Sequence, residues 1–146
     1  MQTGKFTLAS ITGVIGSFIA NLLGGWTSDL QTLVIFMGID FVMGLALATF
    51  FKNSPKSETG TLNSTSAWEG ICKKCGTLAM VLVANQLDVT FDMSYVRTAV
   101  IITFIVVELI SIVENAGLMG IPVPKVILNV IDVLKERTGE DDENLK

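Results

Sequence analysis

The chain has 146 residues, of which 50% are apolar and only 16% are charged. An average soluble domain contains about 25% charged residues. The mean hydropathy is +0.60, and much of the charge lies in the last dozen residues, from Lys135 to Lys146. A soluble protein of this size is mostly surface and needs more charge to stay in solution, so the composition indicates an integral membrane protein.

The composition also argues against nucleic-acid binding and against most enzymatic chemistry. No basic patch with interleaved aromatic residues is present, and there is no histidine, the commonest general base and metal ligand. Cys72 and Cys75 have redox spacing, but no βαβ pattern surrounds them, and zinc would need further ligands. We therefore expect no catalytic residue, no cofactor and no metal, and two reduced thiols on the cytoplasmic side.

Residues 6–28 are the first predicted transmembrane span, because 23 consecutive residues carry no charge and a span needs roughly 20. A cleaved signal peptide is the alternative, but the apolar stretch is too long for one, and no clear cleavage site follows it. Small residues recur on this helix at intervals of three or four, which favours close approach of another helix: Ala9, Gly13, Ser17, Ala20 and Gly24.

A turn with an interfacial tryptophan, residues 24–29, leads to the second predicted span, residues 30–51. Its one charged residue, Asp40, lies near the middle, and Gly44 and Ala48 follow at spacings of four on the same helix face. Residues 52–66 are rich in Ser, Thr, Asn, Gly and Pro, which predicts a cytoplasmic loop.

The third predicted span, residues 67–88, begins at a capping-box pattern, Ser66 to Glu69. Its uncharged part has only 13 residues, from Cys75 to Leu87, which cover roughly 20 Å of a 30 Å hydrocarbon core. This helix crosses only if Lys73 and Lys74 snorkel to one membrane edge and Asp88 lies at the other. Residues 88–95 form a short acidic turn.

Residues 96–115 are the last predicted span, which Gly117 and Gly120 end. A short cytoplasmic helix, residues 125–137, follows two prolines, and it is amphipathic because Ile127, Val130, Ile131 and Leu134 share one face. It can lie on a membrane or pack on a partner. The predicted organisation is a transmembrane domain over residues 1–121, the amphipathic helix over 122–137 and a disordered acidic tail over 138–146.

The basic residues predict the orientation, because cytoplasmic loops hold an excess of Lys and Arg. With four spans, all basic residues except Arg97 fall on one side of the membrane, so both termini are expected in the cytoplasm. The alternative has three spans, with the N-terminus outside or cleaved. It moves only Lys5 to the other side, so the rule separates the two topologies poorly. The predicted fold is all-α, with three to four transmembrane helices.

Polar residues inside the predicted spans are the candidate functional residues, because a charge at mid-membrane is costly and is expected to face a partner or water. On the last span four of them share one stripe, since offsets of 11, 14 and 18 residues return to similar helical angles: Arg97, Glu108, Ser111 and Asn115. With Asp40 they either line an aqueous lumen in an assembly or lie at helix contacts as protonated carboxyls and hydrogen-bonding groups. The two states could alternate as the carboxyls ionise.

The last two predicted spans resemble the bacteriophage lysis holins grouped with the clostridial toxin-secretion holins. The resemblance covers roughly residues 30–137, including the mid-span Asp40 and Asn53-Ser54. It is carried by Gly70-Ile71-Cys72-Lys73-Lys74, Leu87-Asp88, Arg97, Glu108-Leu109-Ile110-Ser111-Ile112-Val113-Glu114-Asn115 and Gly120-Ile121-Pro122-Val123-Pro124. It implies a protein that oligomerises in the bacterial cytoplasmic membrane and opens lesions that release a cell-wall endolysin or a large toxin.

Two other function classes stay open on the sequence. A small ion or solute channel, or a transporter subunit, would give stable and selective conductance. A membrane adaptor would recruit a partner through the helix over residues 125–137. A holin, by contrast, has the lipid bilayer and further copies of itself as its physical partners.

Overall fold

The computed structural model describes residues 2–51 and 64–138, with the side chains of residues 10–51 and 64–137. In these ranges the chain is all-helical, as predicted, and a π-helical turn at Leu47–Phe51 extends the second helix. The five α-helices are α1 (Gln2–Leu22), α2 (Ser28–Ala46), α3 (Ser64–Phe91), α4 (Val96–Leu118) and α5 (Lys125–Thr138). Most of the predicted loop 52–66 and of the predicted tail 138–146 lies outside the described residues.

The first helix ends at Leu22, so the predicted span to residue 28 is too long. Gly24 and Gly25 both have positive φ, and the amide N–H of Gly25 bonds back to the carbonyl of Ala20 at 2.8 Å. This is a Schellman motif, in which a residue in the left-handed region satisfies the last helical carbonyls. Two consecutive glycines make that conformation cheap, and both lie within the predicted turn, residues 24–29.

The third helix is longer than predicted at both ends. It starts at Ser64, so residues 64–66 of the predicted loop are helical. It also continues to Phe91, through the first half of the predicted acidic turn. Asp92, with φ of 55°, then closes it, and the amide N–H of Met93 bonds to the carbonyl of Asp88 at 2.9 Å.

Helices α2, α3 and α4 form a bundle in which α4 packs on both of the others, and α2 and α3 touch each other sparsely. The contacts of Arg97 with Asp29 and Asp88, and of Lys74 with Asp40 and Glu108, fix the directions. They require α2 and α4 to run parallel and α3 to run the opposite way. The buried apolar core between them consists of Leu23, Leu30, Leu33, Met37, Val81 and Ile101.

The outer surface of the bundle is apolar. By length and composition, two helical segments could each cross a membrane: Ser28–Phe51 and Val96–Leu118. In α1 every side chain from Ser10 to Ile19 is exposed, including Val14 and Phe18. A soluble monomer rarely leaves so much contiguous apolar surface in water. The exposed large apolar side chains on α2, α3 and α4 include Ile35, Ile39, Val42, Leu45, Met80, Val83, Leu87 and Val107.

Candidate functional site

Five polar side chains meet in the middle of the bundle, and we call them the ionic cluster: Asp40, Lys74, Glu108, Ser111 and Asn115. The ammonium group of Lys74 on α3 donates to Asp40 Oδ2 at 2.9 Å and to Glu108 Oε2 at 2.7 Å. The other carboxylate oxygen of Asp40 accepts hydrogen bonds from the Ser111 hydroxyl and, at 2.9 Å, from the Asn115 side-chain amide. One carboxylate on α2 thus joins α3 and α4.

Three members of the ionic cluster are buried, and the other two, Lys74 and Ser111, are half-buried. Asp40 is only 4% exposed, and Glu108 and Asn115 are also buried. With its three ionisable groups charged, the cluster has a formal charge of −1, because one ammonium group faces two carboxylates. Charges in a low-dielectric interior are tolerated only when paired and hydrogen-bonded, so Lys74 is the group on which both carboxylates depend.

A second polar site, which we call the Arg97 clamp, lies where the turn between α1 and α2 meets the start of α4. The guanidinium group of Arg97 donates to the backbone carbonyls of Leu23 and Gly25 and to the Thr27 hydroxyl at 2.9 Å. Asp29 lies 3.8 Å from the same group. Arginine suits this task because its planar fork holds several donors in one fixed geometry.

Helix α3 supplies two more side chains to this end of the bundle. The Asp88 carboxylate accepts hydrogen bonds from the backbone N–H groups of Val96 and Arg97, at 3.1 and 2.9 Å, and thereby caps α4. The Asn85 amide donates to the Leu22 carbonyl at 3.1 Å. Gly24 has to be glycine here, because an added Cβ would collide with the side chains of Asn85 and Arg97.

An apolar layer separates the ionic cluster from the Arg97 clamp. Eleven residues separate Asp29 from Asp40 and Arg97 from Glu108, which is about 16 Å along a helix. Within this interval the side chains that face the interior are apolar and buried: Leu30, Leu33, Met37, Val81 and Ile101. The bundle interior therefore alternates between polar, apolar and polar along its axis.

The predicted polar residues all lie inside the bundle, at two levels. Asp40, Glu108, Ser111 and Asn115 are together in the ionic cluster, and Arg97 is apart from them in the clamp. Their predicted role in lining a lumen is not tested by a single chain and stays a prediction. In this structure they join helices to one another.

Lys74 is the residue of this site that the sequence interpretation missed. It was expected to snorkel to a membrane edge with Lys73, but its side chain reaches Asp40 and Glu108 in the middle of α2 and α4. A signal was present, since Lys74, Asn85 and Asp88 have offsets of 11 and 14 residues and share one stripe of α3. Arg97, Glu108 and Ser111 on α4 have the same two offsets. Because α3 and α4 are antiparallel, the two stripes run in opposite directions in space.

The small residues predicted to pack against helices have different environments. Gly24 is in tight contact with α3 and α4, Ala48 is buried and Gly44 is half-buried. Gly13 and Ser17 are exposed, with no neighbour near the Gly13 Cβ position, and Ala20 is half-buried. The side chain of Ala9 lies outside the described residues. The small face of α1 is thus mostly uncovered within one chain.

Cys72 and Cys75 are both exposed on α3, and neither forms a disulfide. Among the described residues no group of three or more Cys, Asp or Glu is placed to hold a metal ion. The polar groups of the site therefore bind one another, and each buried side-chain nitrogen or oxygen in the described part of the chain has a hydrogen-bond partner.

The outer surfaces of the helices are apolar, two of the helices are long enough to span a bilayer, and polar side chains pair with one another on the inside. These are features of a helical membrane protein. Residues 17–136 match the model of the bacteriophage holin family. The match covers most of the chain and agrees with the resemblance noted in the sequence, so the chain belongs to the bacteriophage holin family.

Individual relatives agree with this assignment. A probable holin of Bacillus phage phi105 is 31% identical, over 83% of this chain and 87% of its own length. Uncharacterised proteins of Halalkalibacterium halodurans and Listeria monocytogenes are 35% and 33% identical, over 84% and 88% of this chain and 89% and 86% of their own lengths. No solved structure matches the chain significantly.

Proposed function

We propose that this chain is a non-enzymatic holin, which assembles with copies of itself in the bacterial cytoplasmic membrane and opens lesions that release a cell-wall endolysin. The resemblance also implies a large toxin as cargo in some members of the family. The observation that carries the proposal is the ionic cluster, a set of charges placed midway along apolar helices. Charges at this depth are costly and mark a pathway or a switch in membrane proteins.

The single chain corresponds to the closed form. In the described part of the chain each buried side-chain nitrogen or oxygen has a hydrogen-bond partner, and the outer surface is apolar. Such a chain is stable in lipid without a water-filled lumen. The apolar layer between the ionic cluster and the Arg97 clamp keeps water from passing along the interior. Such a chain could accumulate in the membrane without permeabilising it.

Opening exchanges the partners of the ionic cluster. Helix α3 touches α2 sparsely, and Lys74 supplies a charge-assisted bond between them. When Lys74 leaves Asp40 and Glu108, both carboxylates lose their counter-charge, and water in a lumen shared by several copies solvates them instead. The stripe of α4 that carries Glu108, Ser111 and Asn115 then lines that lumen.

The proposed topology has α2, α3 and α4 in the membrane, with α1 as a fourth span and both termini in the cytoplasm. The contacts of α3 support the proposal that it crosses the membrane. Lys74 contacts the ionic cluster, and Asp88 contacts the start of α4 beside the Arg97 clamp. The two residues lie 14 positions apart, which is about 21 Å along a helix. Exposed aromatic side chains support two interfaces, with Trp26 and Tyr95 at one end of the bundle and Trp68 at the other.

Inducible expression in a bacterium, with and without a co-expressed endolysin, tests the function and the role of Asp40 together. We expect abrupt growth arrest and loss of membrane potential, with lysis only when the endolysin is present. Asp40→Asn should bring this onset forward, because it removes the charge from a bond that contributes about 1.5–3 kcal/mol. The readouts are optical density, membrane potential and release of a cytoplasmic reporter enzyme.

The matched control is Asp92→Asn, which makes the same chemical change in an exposed turn where asparagine also tolerates positive φ. It should leave the onset unchanged, and an unchanged onset in Asp40→Asn would disprove the proposed role of the ionic cluster. Continued growth with a selective conductance would favour a channel or transporter subunit. Loss of function on deletion of residues 125–137, with assembly intact, would favour the adaptor.

A further inference from the structure

Helix α5 has an apolar stripe that no other part of the described chain covers. Its Ile131 is buried, which accounts for one side of the helix. On the other side Val126 is 71% exposed, Val130 44% and Val133 50%. These three lie at spacings of four and three, so they form one line along the helix.

The charges of α5 are arranged around its apolar surface. At 100° per residue, Arg137 lies within the valine line, at its C-terminal end, and Lys135 lies on the side of the helix opposite Val126. Asp132 and Glu136 are exposed on the polar side of the helix, and Asn129 lies between that side and Val133. A basic residue at the end of an apolar line can extend its charged end toward phosphates while its stem stays in apolar surroundings.

The connection to α4 keeps α5 near the end of a membrane-spanning segment. Helix α4 ends at Leu118, and Gly120, with φ of 75°, closes it through the bond from the Ile121 N–H to the Ala116 carbonyl at 2.9 Å. Only residues 119–124 separate the two helices, which limits the start of α5 to about 20 Å from that end. In addition α5 packs on α4.

We propose that α5 lies in the plane of the membrane interface, with Val126, Val130 and Val133 against the acyl chains and Arg137 at the level of the phosphates. The bilayer that holds α4 is the nearest apolar phase. Three exposed valines offer only a fraction of the roughly 800 Å² per partner that a stable protein interface needs, whereas insertion by about 5–10 Å requires no shape complementarity. This proposal rests on membrane localisation and not on pore formation.

The test uses the full chain in lipid nanodiscs, with Cys72→Ser and Cys75→Ser and one new cysteine at a time. Val130→Cys and Asp132→Cys are labelled with an environment-sensitive fluorophore. They are then quenched either by a nitroxide on the upper acyl chain of the lipid or by iodide in water. At Val130 we expect blue-shifted emission, strong quenching by the lipid nitroxide and weak quenching by iodide. The reverse is expected at Asp132, the matched position on the polar face.

Equal access of iodide to both positions would overturn the proposal, because α5 would then lie in water. Protection of Val130 from both quenchers would also overturn it and would indicate a protein partner. Protection that disappears in nanodiscs holding one chain each would identify that partner as a second copy. Since permeabilisation is not measured, none of these results depends on the proposed holin function.

Discussion

Replacing Lys74 by methionine is expected to destabilise the folded chain by about 3–5 kcal/mol, which is the usual cost of removing one partner from a buried ionic group. The variant keeps a side chain of similar length but leaves Asp40 and Glu108 buried together without a counter-charge. The measurement is the free energy of unfolding of the purified full chain in mixed detergent micelles, followed by tryptophan fluorescence.

Lys73→Met is the matched control, because Lys73 is adjacent in sequence but exposed. It should unfold with nearly the wild-type free energy. A second variant separates a charge effect from a packing effect: adding Asp40→Asn and Glu108→Gln to Lys74→Met removes the unpaired charges and should restore most of the stability. A Lys74→Met chain as stable as Lys73→Met would show that the ionic cluster does not hold the bundle together.

The second large effect is expected at Arg97. Arg97→Met leaves the buried Leu23 carbonyl without its donor, whereas the Gly25 carbonyl keeps the Thr27 N–H at 3.1 Å. An unpaired buried carbonyl costs about 1–3 kcal/mol, and we expect a loss of that size in the same unfolding measurement. Arg97→Lys should recover only part of it, because one ammonium group cannot reproduce the planar fork.

Two glycines in the turn provide an independent check on this clamp. Gly24→Ala and Gly25→Ala both place alanine at positive φ, but only the first puts its methyl group against Arg97 and Asn85. Gly24→Ala should therefore be clearly less stable than Gly25→Ala. Equal stability of the two variants, or full stability of Arg97→Met, would contradict the assigned contacts.

The sequence predicted the helices and the buried polar residues of α2 and α4, because apolar length and mid-span charge are local signals. Asp40 stands alone in an apolar stretch, and the offsets among Arg97, Glu108, Ser111 and Asn115 define one stripe without reference to another helix. Their separation into two levels also follows from sequence, since Arg97 is 11 residues from Glu108.

The partner of Asp40 could not be predicted in the same way. Lys74 is close to a predicted loop, where a lysine ordinarily extends to the membrane edge. Its inward position depends on the register between antiparallel α3 and α4, which is a property of two helices packed together. The turn at Gly24 and Gly25 was predicted, but its close fit against Asn85 and Arg97 was not, because those residues are more than 60 positions away in the chain.

The most direct test of the central claim is the size of the molecules that the purified full chain lets through a bilayer. Vesicles are loaded with a small dye and a folded enzyme of endolysin size, and the chain is added to increasing density. A holin should release both contents abruptly above a threshold density. Release of the dye alone, graded and without a threshold, would contradict the account and point to a selective channel.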